Sequence, residues 1–194
     1  MNFSQSIIVS VLVVGGGWSA ALLQPQVGNA HSTEGKPKAQ LASVQMEAQN
    51  GEDMQESVVR SKARTIVGAS DTLDFADVGK LWLAFNDNTV LHARLKKAPT
   101  RVFVAYQDFS NDFKRAHISI GYERTIVSLA DAGISLKSGL HIQILAPAKY
   151  TSEEIEKAWQ TLDYRRPIEQ VIEVYQLSAD NTVMASNMLV LYGE

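Results

Sequence analysis

Apolar residues recur at spacings of three and four in two places along the chain. Phe75, Val78, Leu81, Trp82 and Phe85 form one such stripe, and Ile155, Ala158, Trp159 and Leu162 form the other. Each stripe predicts a short amphipathic helix. Asp74 stands where the first helix needs its N-cap. Thr151 and Glu154 supply a capping box for the second. The two helices also align residue by residue. Asp77-Val78-Gly79-Lys80-Leu81-Trp82 matches Glu154-Ile155-Glu156-Lys157-Ala158-Trp159, and Phe85 matches Leu162. Strand-like runs flank each helix in the same order. Val58 to Gly68 and Leu140 to Ala146 precede the helices. Val102 to Tyr106 and Val171 to Tyr175 follow them. His117 to Tyr122 then alternates cleanly, whereas Val183 to Tyr192 is apolar on both parities and reads as a central strand. Asn86 to Arg101 and Ser128 to Gly139 read as connections, and Phe109 to Arg115 as a polar hairpin loop.

The unit is therefore strand–helix–strand–strand, and it occurs twice. The fold class that follows is α+β: a mostly antiparallel sheet, two packed helices and a central crevice between pseudo-symmetric halves. Crevices of that kind are where concave ligand sites form.

The polar pattern changes sharply before Glu56. Residues 1–30 carry no Lys, Arg, Asp or Glu, and the run from Ile7 to Leu23 is apolar but broken by Gly15, Gly16 and Gly17. As a helix it would reach about 26 Å, short of the ~30 Å hydrocarbon core. Gly28-Asn29-Ala30 offers a small-x-small cleavage site. Residues 1–30 thus read as a signal peptide, with a membrane anchor as the alternative. Residues 31–55, polar and without sustained period, read as a flexible tether. The folded domain is expected over 56–194. Secretion to the periplasm, or anchoring in the inner membrane facing outward, is the localisation this order predicts, with membrane contact confined to the N-terminal segment.

Composition removes several function classes. The 194 residues contain no cysteine, which excludes disulfides, thiol catalysis and iron–sulfur clusters. The net charge of -3 leaves no basic footprint for nucleic acid. His31, His92, His117 and His141 lack metal-binding spacing. Neither G-x-S-x-G nor G-x-G-x-x-G occurs, and no cofactor is expected.

The repeat exposes one departure. Val104 in the first copy corresponds to Glu173 in the second, and Glu173 shares its strand face with Val171, Tyr175 and Leu177. A carboxylate on an apolar face is a candidate for function, because burial raises its pKa unless a donor or cation offsets the cost. The alternative is a solvated face, or a structural pair with Arg165 or Arg166. Tyr106, Tyr122, Tyr150 and Tyr175 fall at strand positions or strand ends, and Trp82 and Trp159 lie on the helix stripes. Around an inward Glu173 these six aromatics would make a cage for a lipophilic or cationic ligand.

These residues resemble the GyrI-like effector-binding domains, which are also the ligand-sensing halves of AraC- and MerR-type multidrug regulators. The resemblance covers roughly Ser57 to Glu194. It rests on Ile66-Val67-Gly68, Leu81-Trp82-x-x-Phe85, Val102 to Tyr106 leading to Asp108 and Asp112, and Ile120-Gly121-Tyr122-Glu123. It continues through Ala148-Lys149-Tyr150, Trp159, Arg165-Arg166 and Ile172-Glu173-Val174-Tyr175. It implies a duplicated fold with a ligand crevice, and it gives Glu173 the role of meeting cationic, lipophilic compounds. Some relatives inhibit DNA gyrase by protein contact, and some hydrolyse small strained electrophiles. Here the leader stands where regulators carry a DNA-binding half, so direct transcriptional control is not expected. The expected function is small-molecule binding without catalysis. The alternatives are a small hydrolase with Glu173 as general base and a tyrosine as donor, or a protein-interaction module with a vestigial pocket.

Overall fold

The structure, a computed structural model, describes residues 57–128 and 133–194. The leader and tether expected over 1–30 and 31–55 lie outside the described residues. The fold is α+β. Eight antiparallel strands form one sheet: β1 Val58–Ser61, β2 Arg64–Asp74, β3 Arg101–Gln107, β4 Arg115–Glu123, β5 Ile134–Leu136, β6 Gly139–Ala148, β7 Ile168–Leu177 and β8 Val183–Tyr192. Three helices accompany it: α1 Val78–Asn86, α2 Thr89–Ala93 and α3 Ser152–Gln160.

The strand order β1-β6-β8-β7-β3-β4-β2-β5 carries the duplication. Read outward from the centre, β3-β4-β2 mirrors β7-β8-β6, and the two repeats meet where β3 pairs with β7. There Val104 stands directly opposite Glu173. The pseudo-twofold axis therefore runs beside the position where an apolar residue in one copy is a carboxylate in the other.

One expected strand is in fact two. The run Val58 to Gly68 breaks at Lys62-Ala63: β1 pairs with β6 near one edge of the sheet, and β2 pairs with β4 and β5 near the other. From Ser61 to Arg64 is three Cα steps, at most about 11 Å. In a flat sheet the same two strands would be six spacings apart, about 29 Å. The sheet must curl until its edges approach. The short link from Leu136 to Gly139 makes the same demand from the other repeat, because β5 and β6 also lie at opposite ends of the order. The curl folds the helix-free face onto itself. On that face Ile66, Phe103, Ala105, Leu136, Ile172 and Val174 form a small core. The backbone N–H of Lys137 donates to the Gln170 side chain across it, at 3.0 Å.

The helices cover the other face. A nine-residue helix is marginal alone, so packing must hold it. On α1, Val78, Leu81, Trp82 and Phe85 are buried, and on α3, Ile155, Ala158 and Trp159 are buried. They join Val102, Val104 and Tyr106 of β3, Ile118 and Tyr122 of β4, and Val171 and Tyr175 of β7 in the main core. The capping box at α3 is formed as its sequence predicts: Thr151 N donates to Glu154 Oε2 at 2.7 Å, and Glu154 N donates to Thr151 Oγ1 at 3.3 Å. The start of α1 differs. Asp74 makes no side-chain cap bond, and Phe75–Asp77 is a 3-10 turn ahead of the helix. Asp74 instead pairs with Arg115 at 3.2 Å. Helix α2 lies within what reads from sequence as a connection, and Asn88 caps it by accepting from Leu91 N at 3.0 Å.

Candidate functional site

β7 presents Glu173 and Tyr175 on the helix-bearing face because residues two apart on a strand share a side. α3 lies over that face with Trp159 pointing down. The result is a carboxylate 3% exposed, held by aromatic donors. Trp159 Nε1 donates to Glu173 Oε1 at 2.8 Å, and the Tyr175 hydroxyl donates to Oε2 at 2.7 Å. The Tyr106 hydroxyl, reaching over from β3, lies close enough to act as a further, weaker donor to the same carboxylate.

The two structural partners considered for Glu173 are engaged elsewhere. Arg165 Nε donates to Asp163 at 2.8 Å, and the Arg166 guanidinium lies 4.0 Å over the Tyr192 ring. Among the described residues no Lys, Arg or His pairs with Glu173. Burial raises its pKa, and the bonds from Tyr175, Trp159 and Tyr106 pull only part of the way back. Burial, followed by the neighbouring carboxylate, pushes the Tyr106 and Tyr175 hydroxyls well above the ordinary phenol range, so they remain protonated donors. The site is thus a buried carboxylate acceptor surrounded by neutral aromatic donors.

Rings close the surroundings. Tyr106 meets Trp159 edge-on at 4.7 Å between centroids, and Phe75 packs 5.8 Å from Tyr106 and 5.7 Å from Trp159. Trp82 stands one ring further out, edge-on to Tyr175 at 5.7 Å. Of the six aromatics read from sequence, Tyr106, Trp159 and Tyr175 touch the carboxylate and Trp82 backs Tyr175. Tyr122 lies in a separate group with Phe85, at 5.1 Å, and His92. Tyr150 is half-buried, and its hydroxyl donates to Ala146 O at 2.8 Å. Phe75 completes the cluster. The sequence places it only on a helix stripe, because a ring two elements away in space leaves no local signal.

No family model and no curated protein matches the sequence. A solved structure shares the fold. It is that of SAV2435 bound to tetraphenylphosphonium, similar with a TM-score of 0.50 at 13% identity, over 72% of this chain and 94% of that one. At this identity the likeness to SAV2435 carries the architecture alone. The described site of the present chain stands on its own residues: a desolvated carboxylate, three aromatic donors and a fourth backing ring.

Proposed function

We propose that this chain is a binding protein for lipophilic cations, taken up against Glu173 on the helix-bearing face, in the manner of a GyrI-like effector-binding domain. The observation that carries the reading is the buried carboxylate with aromatic hydrogen-bond donors and no cationic side chain beside it. An aromatic ring offers its electron-rich face to a cation and a carboxylate offers full charge. A ligand with both an apolar shell and a positive centre satisfies the two together. The shared fold with a structure that holds tetraphenylphosphonium supports the ligand class. The rings over Glu173 have to give way on binding, and Trp159 hydrogen-bonds the carboxylate directly, so its fluorescence reports entry.

Two ions of the same shape and opposite charge test this. Tetraphenylphosphonium is expected to raise the melting temperature of the chain and to change its tryptophan emission, whereas tetraphenylborate leaves both unmoved. Equal responses to the two ions would reduce the site to a greasy surface.

The protein acts outside the cytoplasm, exported or anchored by residues 1–30. The support is the charge-free apolar leader followed by Gly28-Asn29-Ala30. A fusion of residues 1–55 to alkaline phosphatase is expected to be active in cells. Activity with a shortened chain marks cleavage, activity with unchanged mass marks the anchor, and an inactive fusion rejects export.

A further inference from the structure

A cavity lies away from Glu173, where β3 begins and the turn between β7 and β8 closes. Its volume is about 310 Å³, at the small end of the range for small-molecule sites. A run of rings separates it from the carboxylate: Tyr122 lines the cavity, Phe85 packs on Tyr122, Trp82 on Phe85 at 5.9 Å, and Tyr175 on Trp82.

Two of its polar residues carry side-chain amides. Asn86, at the end of α1, and Asn181, in the β7–β8 turn, line it and are 5% and 8% exposed. Neither side-chain amide hydrogen-bonds another described residue. Asn181 takes a left-handed backbone, φ 64°, which asparagine tolerates better than most residues. His92 Nε2 faces two acceptors, Phe85 O at 3.0 Å and Asn86 O at 3.2 Å, and therefore carries a proton. In the neutral ring Nδ1 is then an acceptor, and the Tyr122 hydroxyl, 3.4 Å away, donates to it. Lys97 lies exposed at the rim and makes no ion pair among the described residues. No carboxylate lines the cavity, and Leu95 and Pro99 give it an apolar wall.

We propose that this cavity binds small monocarboxylates with an aromatic or short aliphatic body, the carboxylate meeting Lys97 and the amides of Asn86 and Asn181, and the body lying against Leu95 and Pro99. Both amides are open to the cavity without a protein partner, and an anionic acceptor there gains charge-assisted bonds. A cation would find amide oxygens there but would also meet Lys97. The charge preference is thus opposite to that proposed at Glu173.

The full chain is titrated at neutral pH with benzoate, benzylammonium and benzyl alcohol, followed by saturation-transfer NMR and calorimetry. Benzoate is expected to bind at least about tenfold tighter than either of the others, a difference of about 1.4 kcal/mol. Lys97→Gln, at an exposed position, is expected to weaken benzoate about fivefold and leave benzyl alcohol unchanged. Lys97→Glu is expected to turn the preference toward benzylammonium. Glu173→Gln is expected to leave benzoate affinity as it was, which separates this cavity from the carboxylate site. No benzoate binding up to about 10 mM, equal affinity for benzylammonium, indifference to Lys97→Gln, or loss of benzoate in Glu173→Gln would each overturn the proposal.

Discussion

Replacing Glu173 by glutamine is expected to weaken tetraphenylphosphonium binding by about 30-fold or more while leaving the free protein as stable as before, or more so. The side chain keeps its shape. Its amide oxygen can still accept from Trp159, and the Tyr175 hydroxyl can turn to accept from the new N–H₂. What is lost is the charge. Truncating one member of a desolvated charge pair costs about 2–5 kcal/mol of binding. In the free protein the sign reverses, because an ionised carboxylate buried without a cation is a burden on the native state. The pH dependence follows from the raised pKa of Glu173. Its stabilising contribution is complete below the unfolded value of about 4.3 and is lost as pH climbs through the higher folded value. Wild type should therefore lose stability relative to Glu173→Gln over that interval, and the two melting curves should run parallel in stronger acid. Thermal melts from acid to neutral pH, with and without the cation, check both halves. A glutamine variant that melts well below wild type at neutral pH yet binds normally would make Glu173 a structural residue. Glu173→Ala is a different perturbation: it strands three donors around a hole and is expected to cost about 3–5 kcal/mol.

The second large effect is steric. Gly68 and Gly121 face each other across the β2–β4 pair. A Cβ at Gly68 would lie 1.9 Å from Ile120 O and 2.7 Å from the Gly121 Cα. A Cβ at Gly121 would lie 2.6 Å from Val67 O. These are backbone atoms held in the ladder, so relief requires prising the strands apart. Gly68→Ala is expected to destabilise by about 3 kcal/mol or more, and Gly121→Ala to act in the same direction. Gly79 provides the contrast. It lies inside α1 with nothing within 4 Å of an added Cβ, so Gly79→Ala is expected to stabilise by about 0.5–1 kcal/mol. Denaturant unfolding of the three variants decides the matter. A Gly68→Ala protein within about 1 kcal/mol of wild type would mean that the strands spread easily there.

Legibility from sequence followed the range of the interaction. The helix stripes, the capping box at Thr151 and the strand pairs following each helix are local patterns, and each repeat reinforces the other. The parity of β7 was enough to put Glu173 beside Tyr175 on a buried face. That Trp159 turns its indole N–H onto the carboxylate was not legible, since the helix stripe fixes only which side of α3 it occupies. The break at Lys62-Ala63 leaves no sequence signal for a related reason. It has neither glycine nor proline, and what divides β1 from β2 is the choice of partner strands far along the chain. Helix α2 and strand β5, of five and three residues, are too short for a period to declare itself. The cavity beside Tyr122 has no signature at all, because Asn86, Tyr122 and Asn181 come from three distant segments.

The curl of the sheet also laces the repeats together. β1 belongs to the first repeat by sequence but finds its hydrogen bonds on β6 of the second, and β5, which leads into the second repeat, finds its own on β2 of the first. Val58 cannot pair until Ile142 exists. The first half therefore cannot complete its pairings until the second is made, and the chain must bring together partners of large sequence separation before the fold rewards the loss of entropy. The exchanged edge strands tie the stability of each half to the other.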